Sequence, residues 1–285
     1  MNFLLEPLQY PFMQQALIMA IVIAVVCALL SCFLVLKGWA LLGDAISHAV
    51  LPGIVLASLL NIPLAIGAFA AAVACTQASS FIERHSRLKQ DAVLGIAFTS
   101  LFALGLLLYH AGSKGQHLMH ILFGNILGIE SVSRYQVWAI AAVVCSVFAL
   151  KWRDFLLYVF DEHQARLSGL CIPCLQHSLL ILLALTCVAA MQAVGVVLVV
   201  AMLIAPALTA QLLCKRFAPL LLCACISSVL AAVCGVIISY HLDAATGACI
   251  VLCQSSAFIA ALCFNALRQS RYRRLKQSQN DAASA

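Results

Sequence analysis

Residues 39–60 read WALLGDAISHAVLPGIVLASLL, an apolar run of the ~20-residue length that crosses a hydrocarbon core. Asp44 and His48 stand inside it, where lipid disfavours both. On a helix, residues four apart lie one above the other on the same face, so an oxygen and a nitrogen donor converge on one point. A charged side chain near the bilayer centre costs about 2.5–3.5 kcal/mol on the lenient insertion scale, and such residues mark transport or proton handling. The pair reads as a cation site. A buried mutual pair that only orients helices is the weaker account, because desolvation opposes it.

The rest of the chain repeats the apolar pattern. Its 285 residues are 65% hydrophobic and 9% charged, with a mean hydropathy of +1.08, beyond what a soluble core of this size requires. Apolar runs between turn and charge punctuation give candidate spans near 13–36, 41–60, 62–82, 92–110, 135–151, 175–193, 195–213, 217–239 and 247–266. Nine is the count. Eight remains open, because the boundary near Gln192–Gly195 is either a tight turn between two helices or one broken helix. The expectation is an all-α polytopic membrane protein, a bundle of about 8–9 transmembrane helices forming one domain over 1–285. Its spans occupy roughly 13–267, and 268–285 form a frayed, basic cytoplasmic tail.

The net charge of +6 sits in short clusters between apolar runs, as the positive-inside rule expects of loops, so it indicates topology and not nucleic acid. With the amino terminus outside, Lys37, Arg84, Arg87, Lys89, Lys151, Arg153, Arg166, Lys215, Arg216, Arg268, Arg271, Arg273, Arg274 and Lys276 fall inside. Only Lys114 and Arg134 fall outside, a 14-to-2 division of the 16 basic residues. The carboxyl terminus is then cytoplasmic. The first apolar run is long and lacks a small-residue cleavage site, so a cleaved signal peptide is not expected.

Of the 14 cysteines, most lie within apolar runs and read as small polarizable packing residues. Cys171-Ile-Pro-Cys174 is a lone CxxC unit without a second half. The chain has no HExxH, no GxSxG and no GxxxxGK(S/T) phosphate loop, so it is not expected to be an enzyme, and any ATP turnover belongs to a partner.

Other polar positions admit bland readings. His110, His117 and His120 lie on or near outer loops, where a solvated role suffices. Asp243 beside His241 is similar, and Asp91 suits the amino end of the fourth span. Pro52-Gly53, one turn beyond His48, and Pro206 within Val196–Leu213 mark helices that open around a pathway; a structural kink serves Pro206 equally well. The longest inner loop, Arg153 to Pro173, reads as a short amphipathic helix: Asp161 and Glu162 suit its positive end, and Gly169 terminates it. It either receives force from a cytoplasmic motor or covers the bundle at the interface.

Three segments together carry a resemblance: Gly43-Asp-Ala-Ile-Ser-His-Ala-Val-Leu-Pro-Gly53, Phe160-Asp-Glu-His-Gln-Ala-Arg-Leu-Ser-Gly-Leu170, and residues 192–210, QAVGVVLVVAMLIAPALTA. They resemble the signature segments of bacterial ABC-type metal permeases, which import manganese, iron or zinc, and the likeness runs from Glu6-Pro7 to Gly247. Residues 117–128, HLMHILFGNILG, and 37–43, KGWALLG, resemble the manganese/iron branch more than the zinc branch.

That resemblance implies that Asp44 and His48 coordinate the metal in the translocation path. It implies that Phe160, Asp161, Glu162, Ala165 and Gly169 belong to a coupling helix seated on a cytoplasmic ABC ATPase dimer. An extracytoplasmic metal-binding protein and a second permease subunit, identical or related, complete the expected assembly in the bacterial inner membrane. No cofactor is held permanently; Mn2+ or Fe2+, with Zn2+ as a further candidate, is cargo. Carboxylate oxygen with imidazole nitrogen suits these ions. The competing expectation is a carrier driven by a proton or ion gradient without an ATPase, for which no inverted repeat is evident.

Overall fold

The computed structural model describes residues 9–85, 90–111 and 131–283, and among these the chain is helical, with no strand. The order is α1 Pro11–Lys37, α2 Leu42–Leu59, α3 Leu64–His85, α4 Gln90–Ala111, α5 Ser131–Phe160, α6 Glu162–Leu167, α7 Ile172–Val194, α8 Val196–Leu213, α9 Phe217–Leu242 and α10 Thr246–Ala283. Local chemistry sets the ends. Pro11 opens α1 and Gly38, at φ 82°, closes it, the asymmetry expected of proline and glycine at helix termini. Asp243 takes the left-handed conformation that ends α9, which gives it a turn role.

The open boundary near Gln192–Gly195 is settled: α7 and α8 are separate helices joined at Gly195 alone. Its φ of 84° and ψ of 164° lie in a region only glycine occupies at ease.

Among the described residues, eight helices, α1 to α4 and α7 to α10, are long and apolar enough to cross a membrane. The run near 135–151 lies in α5, where the apolar part, Val137–Leu150, is followed by Lys151-Trp-Arg-Asp154 and the helix bends at Lys151 (φ −119°, ψ 17°). Even so, α5 traverses the same thickness as α1. At one end Arg134 donates to Gln15 Oε1 at 2.6 Å; beyond the other, Glu162 meets Lys37 at 3.2 Å. The charged flanks therefore lie at the two faces of the bundle.

The basic tail departs from the expected frayed extension. α10 carries on as helix to Ala283, because Ala, Arg, Leu, Lys and Gln are strong helix formers.

α1, α2 and α7 form the buried centre, with α3, α4, α9 and α10 around it. Phe33 of α1 stacks on Phe148 of α5 at 4.8 Å and meets Phe155 and Phe217 edge-on, tying α1, α5 and α9 together. Pro206 lies inside α8 without ending it. The N–H of the next residue, Ala207, donates to Ser31 Oγ on α1 at 3.3 Å, a contact to a neighbouring hydroxyl of the kind that helps proline stay within an apolar helix. The cysteines among the described residues form no disulfide, and Cys27, Cys32, Cys75, Cys187 and Cys249 are buried.

Candidate metal-coordinating site

A stiff turn delivers α2 to its place. The Gly38 N–H bonds the Leu34 and Val35 carbonyls, Trp39 N–H bonds Leu34 O at 2.8 Å, and Leu42 N–H bonds Trp39 O at 3.1 Å. Trp39 is buried. Asp44 then falls in the first turn of α2, where the helix dipole favours a carboxylate, and His48 follows one turn later.

The two side chains meet. His48 Nε2 lies 3.3 Å from Asp44 Oδ1, with the side chains 33% and 30% exposed, although α2 is otherwise mostly buried. Ser47, between them in sequence, gives its hydroxyl to Gly43 O at 2.8 Å and is taken up by the helix. The imidazole is held by two rings of α4, stacked on Phe98 at 5.6 Å and edge-on to Phe102 at 5.3 Å. Next to His48 a cavity of about 10 Å³ is lined by Ser47, Leu51, Ile54, Phe102, Met191 and Val196, room for about one water molecule.

Pro52 and Gly53 do not open the helix, which runs unbroken from Leu42 to Leu59. Gly53 is instead a contact point: a Cβ there would stand 2.2 Å from the Gly67 carbonyl oxygen of α3 and 2.6 Å from Ala71 Cβ. A Cβ on Gly105 of α4 would meet Pro52 N at 2.9 Å. The helix that carries Asp44 and His48 is thus clamped against α3 and α4 by absent side chains. Pro52 also lacks the N–H that would pair with the His48 carbonyl, four residues earlier.

Among the described residues no group of three or more His, Cys, Asp or Glu side chains gathers, so the candidate site consists of two donors, Asp44 and His48. A first-row divalent ion accepts both donor types. An incomplete shell suits a conduit, where binding must be weak enough for release.

Beside the carboxyl end of α1, α6 takes the form its sequence indicates. Asp161 accepts from the Gln164 N–H at 2.9 Å as N-cap, Gly169 at φ 78° follows its end, and Ala165 is buried. Phe160 and Leu167 are 63% and 88% exposed. Losing the cap costs about 1 kcal/mol, so Asp161→Ala is expected to accelerate amide exchange across residues 162–167 about fivefold; unchanged exchange would contradict the capping role.

His110 is exposed at the end of α4, and His241 meets Tyr240 edge-on at 5.3 Å. Neither joins the pair. His117, His120, Lys114, Arg87, Lys89 and Glu6-Pro7, and the side chains of Arg84 and Asp91, lie outside the described residues. Sequence reasoning missed the Phe98–Phe102 seat of the imidazole. Their four-residue spacing was visible, but not what they faced.

The model of the ABC 3 transport family matches residues 9–265. A probable iron transport system membrane protein of Haemophilus influenzae is 52% identical over 94% of this chain and 98% of its own length. A manganese transport system membrane protein of Synechocystis is 45% identical over 92% of this chain and 85% of its own. Among solved structures, PsaBC from Streptococcus pneumoniae in complex with Fab is similar at a TM-score of 0.82 and 35% identity, covering 91% of this chain and 94% of that one.

Proposed function

The chain belongs to the ABC 3 transport family, and from that membership we propose that it is the permease subunit of an ATP-driven importer of Mn2+ and Fe2+, with Zn2+ as a further candidate. The observation that carries this reading is the Asp44–His48 contact at 3.3 Å, partly exposed on an otherwise buried apolar helix. The iron and manganese relatives support the choice of cargo.

In the proposed cycle, an extracytoplasmic binding protein delivers the ion, and the carboxylate and imidazole replace part of its hydration shell. Two permease subunits facing each other across the path bring four such donors together. A cytoplasmic ABC ATPase dimer acts on α6, where exposed Leu167 at its end and Phe160 just before it offer an apolar contact. The bacterial inner membrane is the setting, with the amino terminus outside and the carboxyl terminus cytoplasmic. Counting α5 as a ninth crossing places Lys37, Arg153, Arg166, Lys215 and Arg216 on one side, in keeping with the positive-inside rule. Pro52, Gly53 and Pro206 are proposed as points about which the path helices shift.

The energy source decides between this and a gradient-driven carrier. In proteoliposomes holding the permease and its ATPase, 54Mn uptake is expected to require internal ATP and to survive an uncoupler. Uptake that collapses with uncoupler and ignores ATP would overturn the reading.

A further inference from the structure

Lys37 is the last residue of α1, and its side chain is only 16% exposed. Its ammonium lies 4.2 Å from the centre of the Tyr158 ring and 3.2 Å from Glu162 Oε2. Tyr158 is itself buried at 1% exposure, near the end of α5, and Glu162 is the first residue of α6. An ammonium with this little exposure is stabilised by its partners, a carboxylate and an aromatic face. Glu162 is also approached by Arg166 at 3.9 Å, so the carboxylate is drawn toward the helix that carries it while it holds Lys37.

The position of Lys37 matters as much as its burial. Four residues, Gly38 to Leu41, separate it from α2, and the bonds of Gly38, Trp39 and Leu42 stiffen that turn. Asp44 lies seven positions beyond Lys37. The α6 helix is therefore joined by one ion pair to the segment that sets where the metal-binding carboxylate sits. Around this joint a polar cleft of about 730 Å³, lined by Lys37, Trp39, Glu162, Arg166, Cys171 and Gln176, leaves α6 room to move against the bundle.

We infer that Lys37 is a positioning residue of the transport cycle: through its pair with Glu162 it passes movement of α6 to the Asp44–His48 end of α2, so that ATP hydrolysis is converted into metal movement. The inference rests on α6 receiving the ATPase, as proposed above. It differs from a purely structural role in what it leaves intact. Lys37 does not touch the metal donors, so removing its charge preserves metal binding and breaks only the link between hydrolysis and transport.

The test uses the permease–ATPase complex in proteoliposomes, with 54Mn uptake, ATP hydrolysis and equilibrium Mn2+ binding measured on each variant. Lys37→Met keeps the apolar stem beside Tyr158 and removes the charge; Glu162→Gln removes the partner. Both are expected to keep hydrolysis and Mn2+ affinity within about twofold while uptake falls at least about tenfold. Lys37→Arg, and the exchanged pair Lys37→Glu with Glu162→Lys, are expected to retain most uptake. Wild-type uptake in Lys37→Met would overturn the inference, as would uptake, hydrolysis and Mn2+ binding failing together. A benzophenone photo-crosslinker in place of exposed His163 reports separately on α6. No crosslink to the ATPase sinks the docking reading and this inference with it, whereas a crosslink together with normal Lys37→Met uptake sinks the inference alone.

Discussion

Asp44→Ala is expected to abolish metal uptake while leaving the protein assembled. Changes that merely disturb the surroundings of a metal ligand already cost about 10–100-fold in affinity or activity. Here the described residues offer two side-chain donors, so losing one is expected to reach at least the upper end of that range. The fold does not depend on the carboxylate. It is partly exposed and paired with its neighbour one turn away, an arrangement whose loss shifts stability by about 0.5 kcal/mol, and the imidazole keeps its seat between Phe98 and Phe102. The checks are 54Mn uptake by the reconstituted complex and size-exclusion behaviour of the purified variant. Undiminished uptake would remove Asp44 from the pathway.

The second large effect is expected at Gly53. An alanine Cβ there falls 2.2 Å from a backbone oxygen of α3, and a rigid helix cannot yield as the end of a flexible side chain does. α2 and α3 must separate, which displaces the helix that carries Asp44 and His48. Overpacking of this kind costs about 1–3 kcal/mol; with backbone on both sides of the clash, the upper end is expected, together with loss of uptake. Gly95 of α4 supplies the control, because a Cβ there meets nothing within 4 Å. Gly95→Ala is expected to leave the melting temperature in detergent unchanged or slightly raised, whereas Gly53→Ala lowers it sharply. Equal melting of the two variants would contradict the clamp.

These two sites show what sequence could and could not reveal. A helix bathed in lipid is apolar along its length, so run length locates it well: Trp39–Leu60 became α2 from Leu42 to Leu59, and the Asp44–His48 spacing became a contact. The same uniformity hides which face meets which neighbour, since helices that are apolar all round lose the polar stripe that orients soluble ones. The close approach of Gly53 to Gly67 of α3 was therefore not readable from the sequence. Lys37 counted only as an inside charge, because nothing in one dimension brings it to Glu162, 125 residues away. The α5 run reads as a span near 135–151, but nothing in it reveals that its helix follows α1 from Gln15 to Lys37. At the carboxyl end, polarity argued for fraying, whereas strong helix formers continue α10 to Ala283.

The transported ion is proposed to be held between Asp44 and His48. The most direct measurement is anomalous scattering at the manganese absorption edge from crystals of the intact transporter loaded with Mn2+. The account predicts a peak bridging the Asp44 carboxylate and His48 Nε2, absent in Asp44→Ala. A manganese peak within the membrane-spanning bundle but away from both side chains, with the pair still in mutual contact, would contradict it.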